Sequence, residues 1–115
     1  MRRGDIVLVD FEPSRGSEAN KTRPAIVVSN DAANRAAEHS RRGVVTVVPV
    51  TSNVSRVLAF QILLPAGESG LRVISKAQAE QVRSISVDRV GRQVGSLAAE
   101  AMKHLDGALR LHLGL

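Results

Sequence analysis

Hydrophobic residues along this chain fall into short blocks that are separated by polar stretches rich in turn residues. Blocks of this length with many β-branched residues predict short strands. Two blocks, 24–29 and 44–50, are apolar on both alternating faces, as strands covered on both sides of a sheet are. The predicted strands are 5–11, 24–29, 44–50, 58–64, 71–75, 79–87 and 90–94.

The rest of the chain is predicted to form loops and one helix. Residues 12–22 read as a long loop, and 30–43 as a polar connection with one helical turn. From Ser96, a predicted N-cap, apolar residues recur at helical spacing as far as Leu113, and Gly114 follows as the terminating residue. Many short strands followed by one helix predict a mainly β (α+β) fold, a small antiparallel barrel with a C-terminal helix packed on it.

Composition narrows the class of protein. At 115 residues the chain is expected to form one domain, 1–115. The absence of cysteine excludes disulfides and thiolate metal sites. Since no signal peptide or membrane span is recognisable, we expect a cytoplasmic protein without a membrane partner. A formal net charge of +5 favours a polyanionic partner, while the near absence of aromatic residues disfavours a binder that stacks bases.

Candidate chemistry lies at the ends of the two apolar strands. If 24–29 and 44–50 pair in antiparallel order, the start of the first strand faces the end of the second. Arg23 and Thr51 then lie opposite each other within one or two positions, with Ser52 adjacent. A guanidinium can donate two parallel hydrogen bonds to phosphate oxygens, and here a hydroxyl would lie beside it. The pair therefore predicts a phosphate-binding site. A solvated arginine and a turn threonine are the alternative interpretation.

The predicted strand 79–87 carries a second polar feature. Strand alternation places Gln81 and Arg83 on one face, so that an amide and a cation project together, and Ser84 on the other. An exposed strand face without function is the alternative. No metal site is predicted, because metal-ligand spacing is absent from the histidines, which are His39, His104 and His112.

Three blocks of the sequence resemble the MazF/PemK family of toxin endoribonucleases. They are "RGDIVLVDFEPSRGSEANKTRPAIVVSND", "VVPVTS" and "AEQVRSIS", in that order. The resemblance implies an SH3-like barrel with a C-terminal helix, a fold shared with the CcdB gyrase poison, and a homodimer. It implies sequence-specific cleavage of single-stranded RNA without metal or cofactor, through attack by the 2′-hydroxyl. It also implies inhibition of translation and growth, which a cognate acidic antitoxin neutralises.

The resemblance assigns roles to individual residues. Arg23 and Thr51 match the family's catalytic arginine and threonine, and Glu18 matches its loop glutamate. Arg23 is expected to stabilise the phosphorane charge, Thr51 to hold a nonbridging oxygen and Glu18 to accept the 2′-hydroxyl proton. Some members have histidine where this chain has Thr22, so imidazole cannot assist there. The positions expected to bind RNA are Ser17, Lys21, Thr22, Ser52, Gln81, Arg83 and Ser84.

Two alternative functions fit the same sequence. One is a non-enzymatic toxin on this fold that acts as a gyrase poison, although the apolar ending "HLGL" is unlike a C-terminus that makes specific contacts. The other is a basic module that docks on ribosomal RNA with strong salt dependence. RNA cleavage in the presence of EDTA separates the endoribonuclease from both.

Overall fold

The computed structural model describes residues 1–11, 22–67 and 69–115. The strands of these residues are β1 (Asp5–Asp10), β2 (Thr22–Val27), β3 (Val44–Thr51), β4 (Gln61–Leu64), β5 (Ser75–Gln78), β6 (Arg83–Ser86) and β7 (Val90–Ser96). The helices are α1 (Asp31–Ser40) and α2 (Ala99–Leu113). Within the described ranges, neither helix combines the length and the apolar character that crossing a membrane requires.

The strands form one antiparallel sheet with the order β4-β5-β3-β2-β1-β7. The strand β6 also pairs with β3, on the edge opposite to β2, because Val47 has Val27 as its partner on one side and Arg83 on the other. The predicted mainly β fold of antiparallel strands with a C-terminal helix is confirmed.

The central strands bury side chains on both faces. On one face, Ile6, Ile26 and Val48 pack with Leu105 of α2 in one cluster. On the other face, the alternate residues, such as Val47, pack in a second cluster that includes Ala37 of α1. The prediction of strands covered on both sides is confirmed. Each fully buried aliphatic side chain contributes about 1.5–3 kcal/mol through removal from water.

The connection between β4 and β5 packs directly on the backbone of β7. A Cβ added at Gly70 would lie 2.2 Å from the carbonyl oxygen of Val94, and one at Gly95 would lie 1.6 Å from the carbonyl oxygen of Ser69. Only glycine permits so close an approach of two backbones. The contact brings the two ends of the strand order together, as closure of a barrel requires.

The helix α1 is longer than predicted, since it spans ten residues rather than one turn. The side chain of Asn30 accepts a hydrogen bond from the N–H of Ala33 at 2.8 Å and caps the helix. Its buried residues are Asn34 and Ala37, and the Asn34 amide donates to the carbonyl of Ser29 at 2.9 Å. The buried residues are therefore an asparagine and an alanine, and no large apolar residue indicates the helix in the sequence.

Several predicted boundaries were also wrong. Of 71–75 only Ser75 lies in a strand, β4 begins three residues later than predicted, and Ser96 ends β7 instead of capping α2. The predicted strand 79–87 is broken by a single 3-10 turn at Ala79–Gln81. Along β3 the partners Val50 and Val47 are three residues apart, whereas the residues they pair with, Ala77 and Arg83, are six apart. The turn takes up the three additional residues.

Candidate active site

Arg23 and Thr51 lie at adjoining ends of the neighbouring strands β2 and β3. The strands β2 and β3 pair through Ala25 with Pro49 and Ile26 with Val48. The paired register ends at Ala25; continued by two residues, it would set Arg23 opposite Thr51, within the range that the sequence predicted. The side chain of Arg23 is exposed and that of Thr51 is half-buried, so both are accessible to a ligand.

The two residues line one cleft, which we call the Arg23 cleft. It has a volume of about 630 Å³. Its polar lining residues are Arg23, Thr51, Ser52, Arg72, Ser75 and Arg92. Its apolar lining residues include Leu8, Pro24, Val50, Leu71, Val73 and Val94. Among the described lining residues there are three arginines and no carboxylate, so the cleft attracts anions.

The hydroxyl of Thr51 is oriented by the backbone that follows it. The Oγ1 atom accepts a hydrogen bond from the N–H of Asn53 at 3.2 Å. The Oδ1 atom of Asn53 in turn accepts hydrogen bonds from the N–H of Ser55 at 3.3 Å and from its Oγ at 2.9 Å. Because Oγ1 is used here as an acceptor, the hydroxyl hydrogen stays available for donation to a phosphate oxygen.

The β3–β4 loop, residues 52–60, carries Ser52 into the Arg23 cleft and is fixed from two sides. The Nζ of Lys76, a buried residue opposite Thr51 in the β3–β5 pair, donates to the carbonyl of Arg56 at 2.5 Å. The buried Gln61 accepts from the N–H of Leu58 at 2.9 Å, and its amide donates to Glu80 at 2.8 Å. These contacts hold the loop beside Thr51.

The other predicted RNA-binding residues of the described ranges lie outside the Arg23 cleft. Thr22 lines a separate depression with Asp10 and Arg89. Gln81 belongs to the 3-10 turn, so the expected common strand face of Gln81 and Arg83 does not form. Glu18, Ser17 and Lys21 lie outside the described residues.

Arg83 and Ser84 lie on β6, which pairs with the part of β3 that is distant from Thr51. They pair with Val47 and Thr46, four and five residues from Thr51, which corresponds to about 13 and 17 Å along β3. The guanidinium carbon of Arg83 lies 5.2 Å from the centre of the Phe11 ring, at cation–π distance. The Oγ of Ser84 is 3.4 Å from the Oγ1 of Thr46.

Sequence reasoning missed Arg72 and Arg92. Arg72 was assigned to a strand that does not form there, and Arg92 lies in the last strand without a neighbouring motif. Both enter the Arg23 cleft only because the β4–β5 connection packs on β7, and no local pattern of residues encodes that contact. No group of three or more His, Asp or Glu residues in the described ranges is arranged to hold a metal ion.

Comparison with known proteins places this geometry in a family. The model of the PemK-like, MazF-like toxins of type II toxin–antitoxin systems matches residues 2–113. The chain is 57% identical over 115 residues to endoribonuclease MazF9 of Mycobacterium tuberculosis, covering 100% of this chain and 98% of that protein. The chain therefore belongs to the PemK-like, MazF-like toxin family, and the predicted membership is confirmed.

Solved structures agree with the fold. A crystal structure of MazE–MazF from Deinococcus radiodurans superposes with a TM-score of 0.79 at 28% identity, over 100% of this chain and 96% of that chain. An endoribonuclease in complex with its cognate antitoxin, from a mycobacterial species, superposes with a TM-score of 0.78 at 22% identity, over 100% of this chain and 96% of the other. The predicted MazF-like fold is confirmed.

Proposed function

We propose that this protein is an endoribonuclease toxin that cuts single-stranded RNA at specific sequences without a metal ion. The observation that carries the proposal is that Arg23 and Thr51 line one cleft with two further arginines. Support also comes from the 57% identity over the whole chain to a protein named as an endoribonuclease. Cleavage of mRNA, and of other RNAs that carry the motif, would inhibit translation and growth in the cytoplasm.

The proposed reaction is an internal transesterification of the RNA backbone. The 2′-oxygen forms a bond to phosphorus and the bond from phosphorus to the 5′-oxygen breaks. The products are a 2′,3′-cyclic phosphate and a 5′-hydroxyl. One proton leaves the 2′-hydroxyl and one is added to the departing 5′-oxygen, so the protein must accept and return protons while negative charge builds on the phosphorane.

Arg23 and Thr51 suit the charged transition state. A guanidinium is protonated at rest, which makes Arg23 a poor base but a good stabiliser of the phosphorane oxygens. Thr51 would donate its hydroxyl hydrogen to a nonbridging oxygen, in the orientation that Asn53 imposes. We assign acceptance of the 2′-hydroxyl proton to Glu18, and proton transfer to the 5′-oxygen to Arg23.

We further propose that RNA extends from the Arg23 cleft toward β6. Its contacts would include Ser52 in the Arg23 cleft and Gln81, Arg83 and Ser84 beyond it, together with Ser17, Lys21 and Thr22. The functional unit would be a homodimer, and its natural inhibitor an acidic cognate antitoxin. The solved relatives with MazE or a cognate antitoxin support this partner class. No observation favours the gyrase-poison alternative.

The test is incubation of the purified protein with a mixed-sequence single-stranded RNA in EDTA. We expect cleavage at a short motif, with 5′-hydroxyl ends that a polynucleotide kinase labels directly. Arg23→Ala and Thr51→Ala should each lower kcat by about 100- to 1,000-fold, the usual cost of removing one transition-state donor. Sequencing of the labelled ends identifies the motif.

Matched variants separate chemistry from folding. Thr51→Ser retains the hydroxyl and should recover most of the activity, while Arg35→Ala removes an exposed arginine of α1 outside the cleft and should cut like the wild type. Intact RNA at high protein concentration across many sequences would overturn the proposal, and inhibition of gyrase with untouched RNA would replace it by the alternative.

A further inference from the structure

Arg72 and Arg92 form a basic wall of the Arg23 cleft that the proposed chemistry does not use. Both side chains are exposed, and both residues line the same cleft as Arg23 and Thr51. They come from different parts of the chain, the β4–β5 connection and β7. The cleft therefore has cations on elements other than the β2–β3 pair.

The glycine contact between the β4–β5 connection and β7 determines this arrangement. Ser69 and Gly70 lie on the backbone of Val94 and Gly95 so closely that a Cβ at Gly95 would meet the Ser69 carbonyl oxygen. Arg72 follows this contact by two residues. Arg92 precedes Val94 by two residues, in a part of β7 whose register with β1 shifts, and Arg72, Arg92 and Val94 all line the cleft.

The charges of Arg72 and Arg92 are uncompensated within the described ranges. Neither guanidinium has a carboxylate partner there, whereas Arg3, for comparison, forms an ion pair with Asp106 at 2.7 Å. Three arginines that line one cleft repel each other and attract an anion. The guanidinium fork matches the oxygens of a phosphate, so a phosphate group is the anion that this wall fits best.

We propose that Arg72 and Arg92 bind a phosphate of the RNA next to the one that is cut, and so hold the strand in the Arg23 cleft. This inference rests on the proposed endoribonuclease function. It assigns binding, not chemistry, to the two residues, because Arg23 and Thr51 in the same cleft already supply donors for the reacting phosphate. The neighbouring phosphate would anchor the backbone while the reacting one is attacked.

The experiment uses an RNA that carries the mapped motif, with 2′-deoxyribose at the cut nucleotide so that it binds without reacting. Arg72→Ala/Arg92→Ala should weaken its binding about tenfold at moderate salt. The slope of log affinity against log salt should fall in magnitude by about 0.7, the value for one phosphate contact on a single strand. With cleavable RNA, KM should rise about tenfold while kcat stays within about twofold.

Replacement of one charged phosphate of the RNA by an uncharged linkage shows which phosphate Arg72 and Arg92 contact. A methylphosphonate placed at one linkage next to the cut should weaken wild-type binding to a similar extent and should not weaken binding to the double variant further. Arg72→Lys/Arg92→Lys should restore the salt slope. Arg35→Ala, which removes an exposed arginine of α1, should bind the RNA and depend on salt like the wild type.

The two levels of the proposal fail in different ways. If wild-type protein cuts the RNA but the double alanine variant has the same affinity, salt slope and KM, the phosphate contact is refuted and the endoribonuclease function stands. The contact is also refuted if every neutral linkage affects both proteins equally. If the wild type neither binds nor cuts any RNA, the proposed function fails and this inference fails with it.

Discussion

The contact of Ser69 with Gly95 makes a sharp prediction about Gly95→Ala. The new Cβ would lie 1.6 Å from the Ser69 carbonyl oxygen, 2.6 Å from its carbonyl carbon and 3.1 Å from the Cα of Gly70. The φ of Gly95 is not positive, so alanine tolerates the local conformation. The destabilising part of the effect therefore comes from the collision of two backbones.

The magnitude follows from these distances. An ordinary carbon contact begins near 3.4 Å, so the β4–β5 connection must move away from β7 by nearly 2 Å. Overpacking of a closely packed site costs about 1–3 kcal/mol. Because the colliding atoms are backbone and cannot rotate away, we expect a loss of roughly 3 kcal/mol in the free energy of unfolding, at the upper end of that range.

Two measurements test this prediction. Urea unfolding of wild type and variant at the same protein concentration gives the difference in free energy of unfolding. Cleavage kinetics measure the effect on the Arg23 cleft, because displacement of the β4–β5 connection also moves Leu71 and Arg72, which line the cleft. At a temperature where both proteins are folded, KM should rise about tenfold, the cost of one lost phosphate contact.

The matched control is Gly107→Ala. Gly107 lies within α2, and a Cβ there would meet no atom within 4 Å. Alanine at an exposed helix position should stabilise the protein by roughly 1 kcal/mol, because glycine loses more backbone entropy on folding. Gly95→Ala with a free energy of unfolding within about 0.5 kcal/mol of wild type would refute the close contact between the two backbones.

Two further substitutions test the hydrogen bonds that hold the β3–β4 loop beside the site and α1 against the sheet. Lys76→Met removes the hydrogen bond to the Arg56 carbonyl, so kcat/KM should fall about tenfold while urea stability changes by less than about 1 kcal/mol; unchanged kinetics would mean that Lys76 does not hold the loop. Asn34→Ala removes a fully buried amide that bonds Ser29, and it should cost about 2 kcal/mol in urea unfolding. Arg35→Ala, exposed on the same helix, should cost almost nothing, and equal losses from both variants would contradict the buried role of Asn34.

Local sequence determined the central strands and the main pair of site residues. Strands that carry apolar residues on both alternating faces are covered on both sides, and 24–29 and 44–50 lie in the middle of the sheet. Sequential strands commonly pair in antiparallel order, so their ends predicted the juxtaposition of Arg23 and Thr51. Both inferences depend only on alternation and on nearest-neighbour pairing, which are local properties of the chain.

Three features depend on the tertiary structure: the length of α1, the turn that precedes β6, and the set of residues that line the Arg23 cleft. The buried residues of the helix are Asn34, whose partner is Ser29, and the small Ala37, so no large apolar residue indicates the helix in the sequence. The turn at Ala79–Gln81 exists because one continuous segment pairs with β3 in two registers three residues apart. These features depend on which partner a residue finds, not on the residue itself.

Arg72 and Arg92 are the clearest example of residues whose neighbours in the fold cannot be predicted from local sequence. They are twenty residues apart in sequence, and neither belongs to a recognisable motif. They line one cleft because Gly70 and Gly95 allow two backbones to approach more closely than any side chain permits. The residues of the chain supplied the cations and the glycines, and only the closure of the sheet placed the cations beside Arg23 and Thr51.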